Sequence, residues 1–376
     1  MRILLIGSKE WPFHSGAGFE KKPSGGIEIH VDKLSRFLAK NNQNIFIITR
    51  LFPNQSKYET TGKIKVWRVP FINNTFLRNL SFNFLAYFKA KEIIKAEKID
   101  LIHAHGQVGG FFGALLKNKF NVPLVYTPHG LPRGWFFPIK KFLYFLNDFA
   151  IKRASKVLFV SPISRTEMLQ KYPKLNNKLM TNAIDLGDFN KTNKTWKEIR
   201  FVFMGRLEEV KGLRILFEAY TKLSKEYNVK LNIGGDGLLK SELEKFVVVN
   251  KTKNVAFFGW VKDMPSFLMN NDVFVLPSFE TGQPVALLEA MAAGKIIITS
   301  LPYVENEKTG LKVKMGNSDD LYKKMVYVCN NFKSCEKLAV SAKIKAKDFD
   351  WNIVIKDFIK EYNLILKSGI SKLGKK

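Results

Sequence analysis

Short apolar runs of strand length alternate with amphipathic stretches of helix length along nearly the whole chain, and few folds accept that pattern. Residues 2–6, 45–49, 101–103, 124–126 and 157–160 read as strands. After a polar interval the same style resumes at 201–204, 230–233, 255–257, 273–276 and 296–299. Helical periodicity fills most of the gaps, as at 28–39, 213–223, 238–248 and 285–293, and residues 351–366 read as one more helix. Strands apolar on both faces need cover on both sides, so the alternation predicts parallel sheets sandwiched by helices. A chain of 376 residues exceeds one ordinary core and suits two of roughly 150 to 200 residues. The interval 185–199 is rich in turn formers and poor in apolar residues, which sets the expected boundary there.

Composition excludes several classes. Hydrophobic content of 46% and charged content of 25% are those of a globular protein. The apolar run near Met1 spans only four residues before Gly7, Ser8, Lys9 and Glu10, so a first strand is expected rather than a signal peptide. No run approaches the ~18 apolar residues of a spanning helix. Cys329 and Cys335 make no metal-ligand pattern and are expected to stay reduced in a cytoplasmic protein. The net charge of +28 favours polyanionic partners, namely phosphorylated substrates or an anionic membrane face. Nucleic acid is not expected, because no recognised nucleic-acid motif accompanies the charge.

Parallel sheets bind ligands at the carboxyl ends of their strands, so the loops there carry the chemistry. The first, residues 7–26, contains Gly16, Gly18, Gly25 and Gly26 and opens directly into a helix, where backbone N–H groups can meet a phosphate. Its spacing is not the Gly-x-Gly-x-x-Gly of a dinucleotide site. The second, Gly-Arg-Leu-Glu-Glu-Val-Lys-Gly at 205–212, sets Arg206 and Lys211 between a strand end and a helix start. Two cations so placed form a diphosphate clamp that can stabilise a leaving nucleoside diphosphate. In the third, 277–294, Glu289 lies among Leu287, Leu288, Ala290 and Met291. A carboxylate in such surroundings needs a partner, either ribose hydroxyls or a neighbouring lysine.

Taken in order, these segments resemble the family-4 retaining glycosyltransferases of GT-B fold over nearly the whole chain. The matching pieces are Gly-Gly-Ile-Glu-Ile-His-Val at 25–31, Ile-His-Ala-His-Gly at 102–106, Tyr-Thr-Pro-His-Gly at 126–130 and Asn-Ala-Ile-Asp at 182–185. Beyond the clamp loop come Gly-Asp-Gly at 235–237, Phe-Gly-Trp-Val at 258–261 and Leu-Leu-Glu-Ala-Met-Ala-Ala-Gly at 287–294. The resemblance implies two Rossmann-like doubly wound domains facing a cleft. An acceptor domain (1–188, with a C-terminal helix 355–376 crossing back to it) would face a nucleotide-sugar donor domain (189–354). It implies retaining sugar transfer from a nucleotide-diphosphate sugar to an acceptor hydroxyl; the alternatives are a non-catalytic nucleotide-sugar-binding GT-B subunit and a nucleotide-sugar epimerase. Arg206, Lys211, Gly25 and Gly26 would bind the donor diphosphate, Glu289 the ribose, and Trp260 and Val261 the base. His129 and Glu280 would act at the reacting sugar, with His105 and Gly16 on the acceptor side, and with no metal or other cofactor.

The pattern departs from the family at two places on the donor-sugar side. The second glutamate of the family falls on Thr281, with Glu280 one residue early, and the loop 299–310 is about five residues short and lacks paired glycines. On the acceptor side, segments 76–91 and 132–146 combine cations with Phe, Tyr and Trp. That mixture suits an anionic lipid surface, giving the expectation of a cytoplasmic protein peripheral on the inner membrane face and acting on a lipid-linked or envelope glycan.

Overall fold

The structure is a computed structural model that describes residues 1–12, 26–74, 77–129, 137–189, 198–279 and 283–373. It divides into two compact units, Met1–Thr181 with Trp351–Lys376, and Asn182–Asp350. In the first unit the strands are β1 (Arg2–Ile6), β2 (Asn44–Arg50), β3 (Tyr58–Thr61), β4 (Ile64–Val69), β5 (Leu101–His105), β6 (Leu124–Thr127), β7 (Lys156–Phe159) and β8 (Asn177–Leu179). Its helices are α1 (Gly26–Lys40), α2 (Leu77–Glu97), α3 (Gly106–Phe120), α4 (Phe137–Arg153) and α5 (Pro162–Lys171). The second unit contains β9 (Ile199–Met204), β10 (Val229–Gly234), β11 (Val255–Gly259), β12 (Val273–Leu276), β13 (Ile296–Thr299) and β14 (Leu311–Lys312). Helices α6 (Leu213–Glu226), α7 (Lys240–Val249), α8 (Met264–Met269), α9 (Val285–Ala292), α10 (Ser318–Asn330) and α11 (Phe332–Ala346) complete it, and α12 (Trp351–Leu373) returns to the first unit.

The second sheet runs β11-β10-β9-β12-β13-β14, all parallel. Its order reverses between β9 and β12, the topological switch point where open α/β sheets bind ligands. The first sheet runs β3-β4-β2-β1-β5-β6-β7-β8 and reverses between β1 and β5. Central strands in both are apolar and closed to solvent on each face; Ile3, Leu4, Phe201 and Val202 have no exposed surface. Each such side chain contributes about 1.5–3 kcal/mol of burial.

Three features lie outside the periodic reading. The antiparallel hairpin β3–β4 turns at Gly62 (φ +56°) and covers one sheet edge, and β8 and β14 are too short to show periodicity. The units part at 181/182 and 350/351 for a physical reason. Asn182 donates its backbone N–H to Gln283 Oε1 (2.9 Å) and its side-chain amide to the Gln283 carbonyl (2.6 Å), and Ile184 N–H bonds the Phe349 carbonyl (2.9 Å). These bonds bind residues 182–184 to the second unit. Among the described residues no helix is long and apolar enough to cross a membrane.

Candidate active site

In the first unit four of the five histidines meet at the switch point. His105 ends β5 and His129 follows β6, and their Nδ1 and Nε2 atoms share a hydrogen bond of 2.9 Å. His30 of α1 approaches them with ring centroids 5.7 and 5.0 Å away. His103, one inward position earlier on β5, is fully used: Nδ1 pairs with Tyr362 Oη (2.8 Å) and Nε2 with Thr127 Oγ1 (2.9 Å). Helix α12 closes the cluster by laying Trp351 and Phe358 against His30 at 5.6 and 6.0 Å. The ion pair of Lys156 with Glu361 pins the same helix beside β7.

Burial governs the charge of this cluster. It pushes His30 down to about 4. His103, His105 and His129 are held well below the usual imidazole range, first by burial and then by one another. All four are therefore neutral at physiological pH, able to donate from one ring nitrogen and accept at the other. His129 also sits at φ +57°, a left-handed conformation that a side-chain-bearing residue holds only under surrounding constraint. The backbone beside it is tight: a Cβ on Gly7 would lie 2.1 Å from the His105 carbonyl oxygen. Ligating nitrogens of His30, His105 and His129 come within 4.8 Å of one another, the one such metal-capable group among the described residues. Within this group His105 Nδ1 and His129 Nε2 already share a hydrogen bond. Gly26, the first residue of α1, is exposed and has open space where a side chain would stand.

In the second unit the loops after β9, β10 and β12 are joined by backbone. Gly205 N–H bonds the Gly234 carbonyl (3.0 Å), Leu207 N–H bonds that of Asp236 (2.9 Å), and Phe279 N–H bonds that of Val210 (2.8 Å). Ser278 Oγ donates to the same Val210 oxygen (2.9 Å). Gly212 (φ +71°) caps α6 so close to Pro277 that a Cβ there would lie 1.9 Å from its carbonyl oxygen. This framework carries Arg206, exposed and bonded to Glu208 Oε1 at 2.8 Å, and the half-buried Lys211 at the end of a 3-10 turn.

Trp260 and Val261 follow β11 at the same sheet end, Trp260 being 39% exposed. Glu289 is half-buried on α9, with Leu287, Leu288, Ala290 and Met291 buried around it. Gly16, Gly25, Glu280 and Thr281 lie outside the described residues. The shortened loop after β13 is a compact turn in which Leu301 and Val304 are buried and Thr309 Oγ1 accepts from Glu305 N–H (3.0 Å). Sequence reasoning singled out His105 and His129 but not their companions. His30 stood inside the quoted 25–31 segment and His103 inside 102–106; Tyr362 carried no signal, because only the return of α12 brings it to β5.

Comparison with known proteins bears on both units. Residues 24–187 match the family described as Glycosyltransferase Family 4, and residues 198–331 match Glycosyl transferases group 1. An uncharacterised glycosyltransferase of Methanocaldococcus jannaschii is 28% identical, over 90% of this chain and 94% of its own. A Campylobacter jejuni enzyme, N,N'-diacetylbacillosaminyl-diphospho-undecaprenol alpha-1,3-N-acetylgalactosaminyltransferase, is 26% identical over 75% of this chain and 81% of its own. Among solved structures, sucrose-phosphate synthase of Thermosynechococcus elongatus shares the fold with a TM-score of 0.82 at 18% identity, covering 98% of this chain and 99% of that one. Anabaena HepE, solved in complex with UDP, gives 0.72 at 20% identity over 96% and 100%. With both domain matches in chain order on two parallel-sheet units, the protein belongs to the family-4 glycosyltransferases and has the GT-B fold.

Proposed function

We propose that this glycosyltransferase moves a sugar from a nucleotide-diphosphate donor to a hydroxyl of a lipid-linked or envelope glycan, with retention at the anomeric carbon. The observation that carries the donor assignment is the clamp loop, two cations mounted on a backbone-knitted framework at the switch point of the second sheet. Arg206 and Lys211 hold the diphosphate, Glu289 binds the ribose, and Trp260 and Val261 flank the base. The acceptor oxygen bonds to the anomeric carbon on the face from which the diphosphate leaves. Its proton passes to the departing phosphate oxygen, so no covalent enzyme intermediate and no metal is needed. Neutral His129 and Glu280 contact the reacting sugar, while His105 and Gly16 belong to the acceptor side.

Support comes from the similar proteins as their names describe them. Anabaena HepE has been solved with UDP-glucose, and the Campylobacter enzyme acts on a diphospho-undecaprenol-linked sugar. Thermal unfolding with UDP, GDP, ADP and their sugar conjugates tests the reading. A ligand at a hundredfold its dissociation constant stabilises the fold by about 2.7 kcal/mol. One nucleotide should raise the melting temperature of the wild type and not of Arg206→Ala. No shift with any of them overturns the donor assignment. A shift without turnover on a lipid-linked acceptor points to a non-catalytic binding subunit.

A further inference from the structure

Three histidines of the first unit are spaced as ligands of one cation. Ring centroids stand 5.7 Å apart for His30 and His105, 5.0 Å for His30 and His129, and 5.2 Å for His105 and His129. Imidazoles sharing a tetrahedral Zn2+, each with its nitrogen about 2.0–2.1 Å from the ion, stand about 5.3 Å apart by the same measure. One nitrogen of each ring lies within 4.8 Å of the other two. His105 Nδ1 and His129 Nε2 are 2.9 Å apart, against about 3.4 Å for two ligands of one tetrahedral Zn2+. A shift of about half an ångström would therefore admit the ion. The third ring has no such bond: His30 Nε2 is buried and makes no hydrogen bond among the described residues. A buried polar atom left in that state costs about 1–3 kcal/mol unless something meets it.

The surroundings select the kind of cation. The ligands come from α1, from the end of β5 and from the residue two places after β6. His103 is locked between Tyr362 and Thr127 and is spent behind them. Trp351 and Phe358 set an apolar wall against His30, the kind of outer shell that limits the access of water to a metal. Among the described residues the group holds three imidazoles and no carboxylate or thiol. Such a set takes Zn2+, Co2+ or Ni2+ in preference to Mg2+ and Ca2+, which seek oxygen ligands. Three protein ligands leave the fourth corner of a tetrahedron to water or another oxygen. Binding releases no proton. The hydrogen shared by His105 and His129 moves to the far nitrogen of the ring that carried it, so each ring keeps one N–H and offers one lone pair. On His105 that far nitrogen is Nε2, which has no other partner among the described residues.

We propose that His30, His105 and His129 form a binding site for one Zn2+, additional to the transfer chemistry, which needs no cation. Binding is measured on the full chain, stripped with a chelator and dialysed, with no substrate present, so it stands apart from the glycosyl-transfer reading. Calorimetric titration should show one Zn2+ per chain and no binding of Mg2+, and saturating Zn2+ should raise the melting temperature. Co2+ in its place should give the strong visible bands of a four-coordinate ion without a thiolate charge-transfer band. His30→Gln should weaken Zn2+ binding about a hundredfold or more. Cys329→Ser/Cys335→Ser, in the second unit, should leave it unchanged. Equal Zn2+ binding by His30→Gln, or Mg2+ bound as tightly as Zn2+, would overturn the proposal. A thiolate band from Co2+ would do the same on the wild-type chain, whether or not the variant folds, and absence of Zn2+ binding by the wild type would overturn it outright. The effect on turnover does rest on the function proposed above. A ligated His129 has one nitrogen fewer for the reacting sugar, so Zn2+ should inhibit transfer and a chelator should restore it. Zn2+ binding without inhibition would uphold the site and count against that place for His129.

Discussion

Lowering the pH from 7.5 to 5.5 should destabilise the first unit steeply through its histidine cluster. Above about pH 6.5 the four imidazoles are neutral whether the chain is folded or unfolded, so they add no pH dependence. Below that value the unfolded chain takes up protons that the folded cluster refuses, and stability is lost until the pH passes below the folded pKa, about 4 for His30. At pH 5.5 an imidazole that is neutral only in the fold costs about 1.4 kcal/mol. His30, His103, His105 and His129, all depressed by burial, together thus cost several kcal/mol. A domain with about 5–15 kcal/mol in hand would feel that loss strongly. Urea unfolding at the two pH values measures it, and amide exchange in α12 shows whether the weakened element is the one that closes the cluster. His30→Gln should remove about a quarter of the dependence. A total change below about 1.4 kcal/mol, one imidazole's worth, would refute the claim that the four are buried and neutral.

Two further outcomes follow from the second unit. Glu289→Gln should raise the dissociation constant for the responding nucleoside diphosphate about tenfold, a lost charge-assisted bond, while leaving inorganic pyrophosphate binding unchanged; calorimetric titration with both ligands separates ribose recognition from the clamp. Gly212→Ala should cost about 2 kcal/mol or more, since its Cβ would collide with the Pro277 carbonyl at a φ of +71°, and a calorimetric scan showing an unshifted transition for the second unit would contradict that packing.

How much was legible in the sequence depended on the range of the interaction. Runs such as Phe201–Met204 reveal themselves because their neighbours in sequence share one environment, and the glycine-framed clamp loop is local too. The histidine cluster was only half legible. His105 and His129 stand at strand ends and so point to a site, but their neutrality depends on His30 from α1 and on Trp351, Phe358 and Tyr362 from α12. No local pattern says that a helix some 250 residues later returns to the first unit; the family resemblance implied that return, but not that it would set Tyr362 against His103 across 259 positions. Glu289 shows a milder version: its apolar neighbours suggested burial, whereas the helix leaves it half-exposed. The hairpin β3–β4 escaped notice because its outer strand is polar and largely exposed, with little apolar alternation to detect.

The return of α12 also sets an order of events during synthesis. The second unit is one continuous stretch, Asn182–Asp350, and can close as soon as it has left the ribosome. The first unit is begun earlier yet finished later, for its histidines lack their cover until Trp351, Phe358 and Tyr362 have been made. Until then the first unit waits with part of its core open, and nascent-chain quality control would meet it in that state.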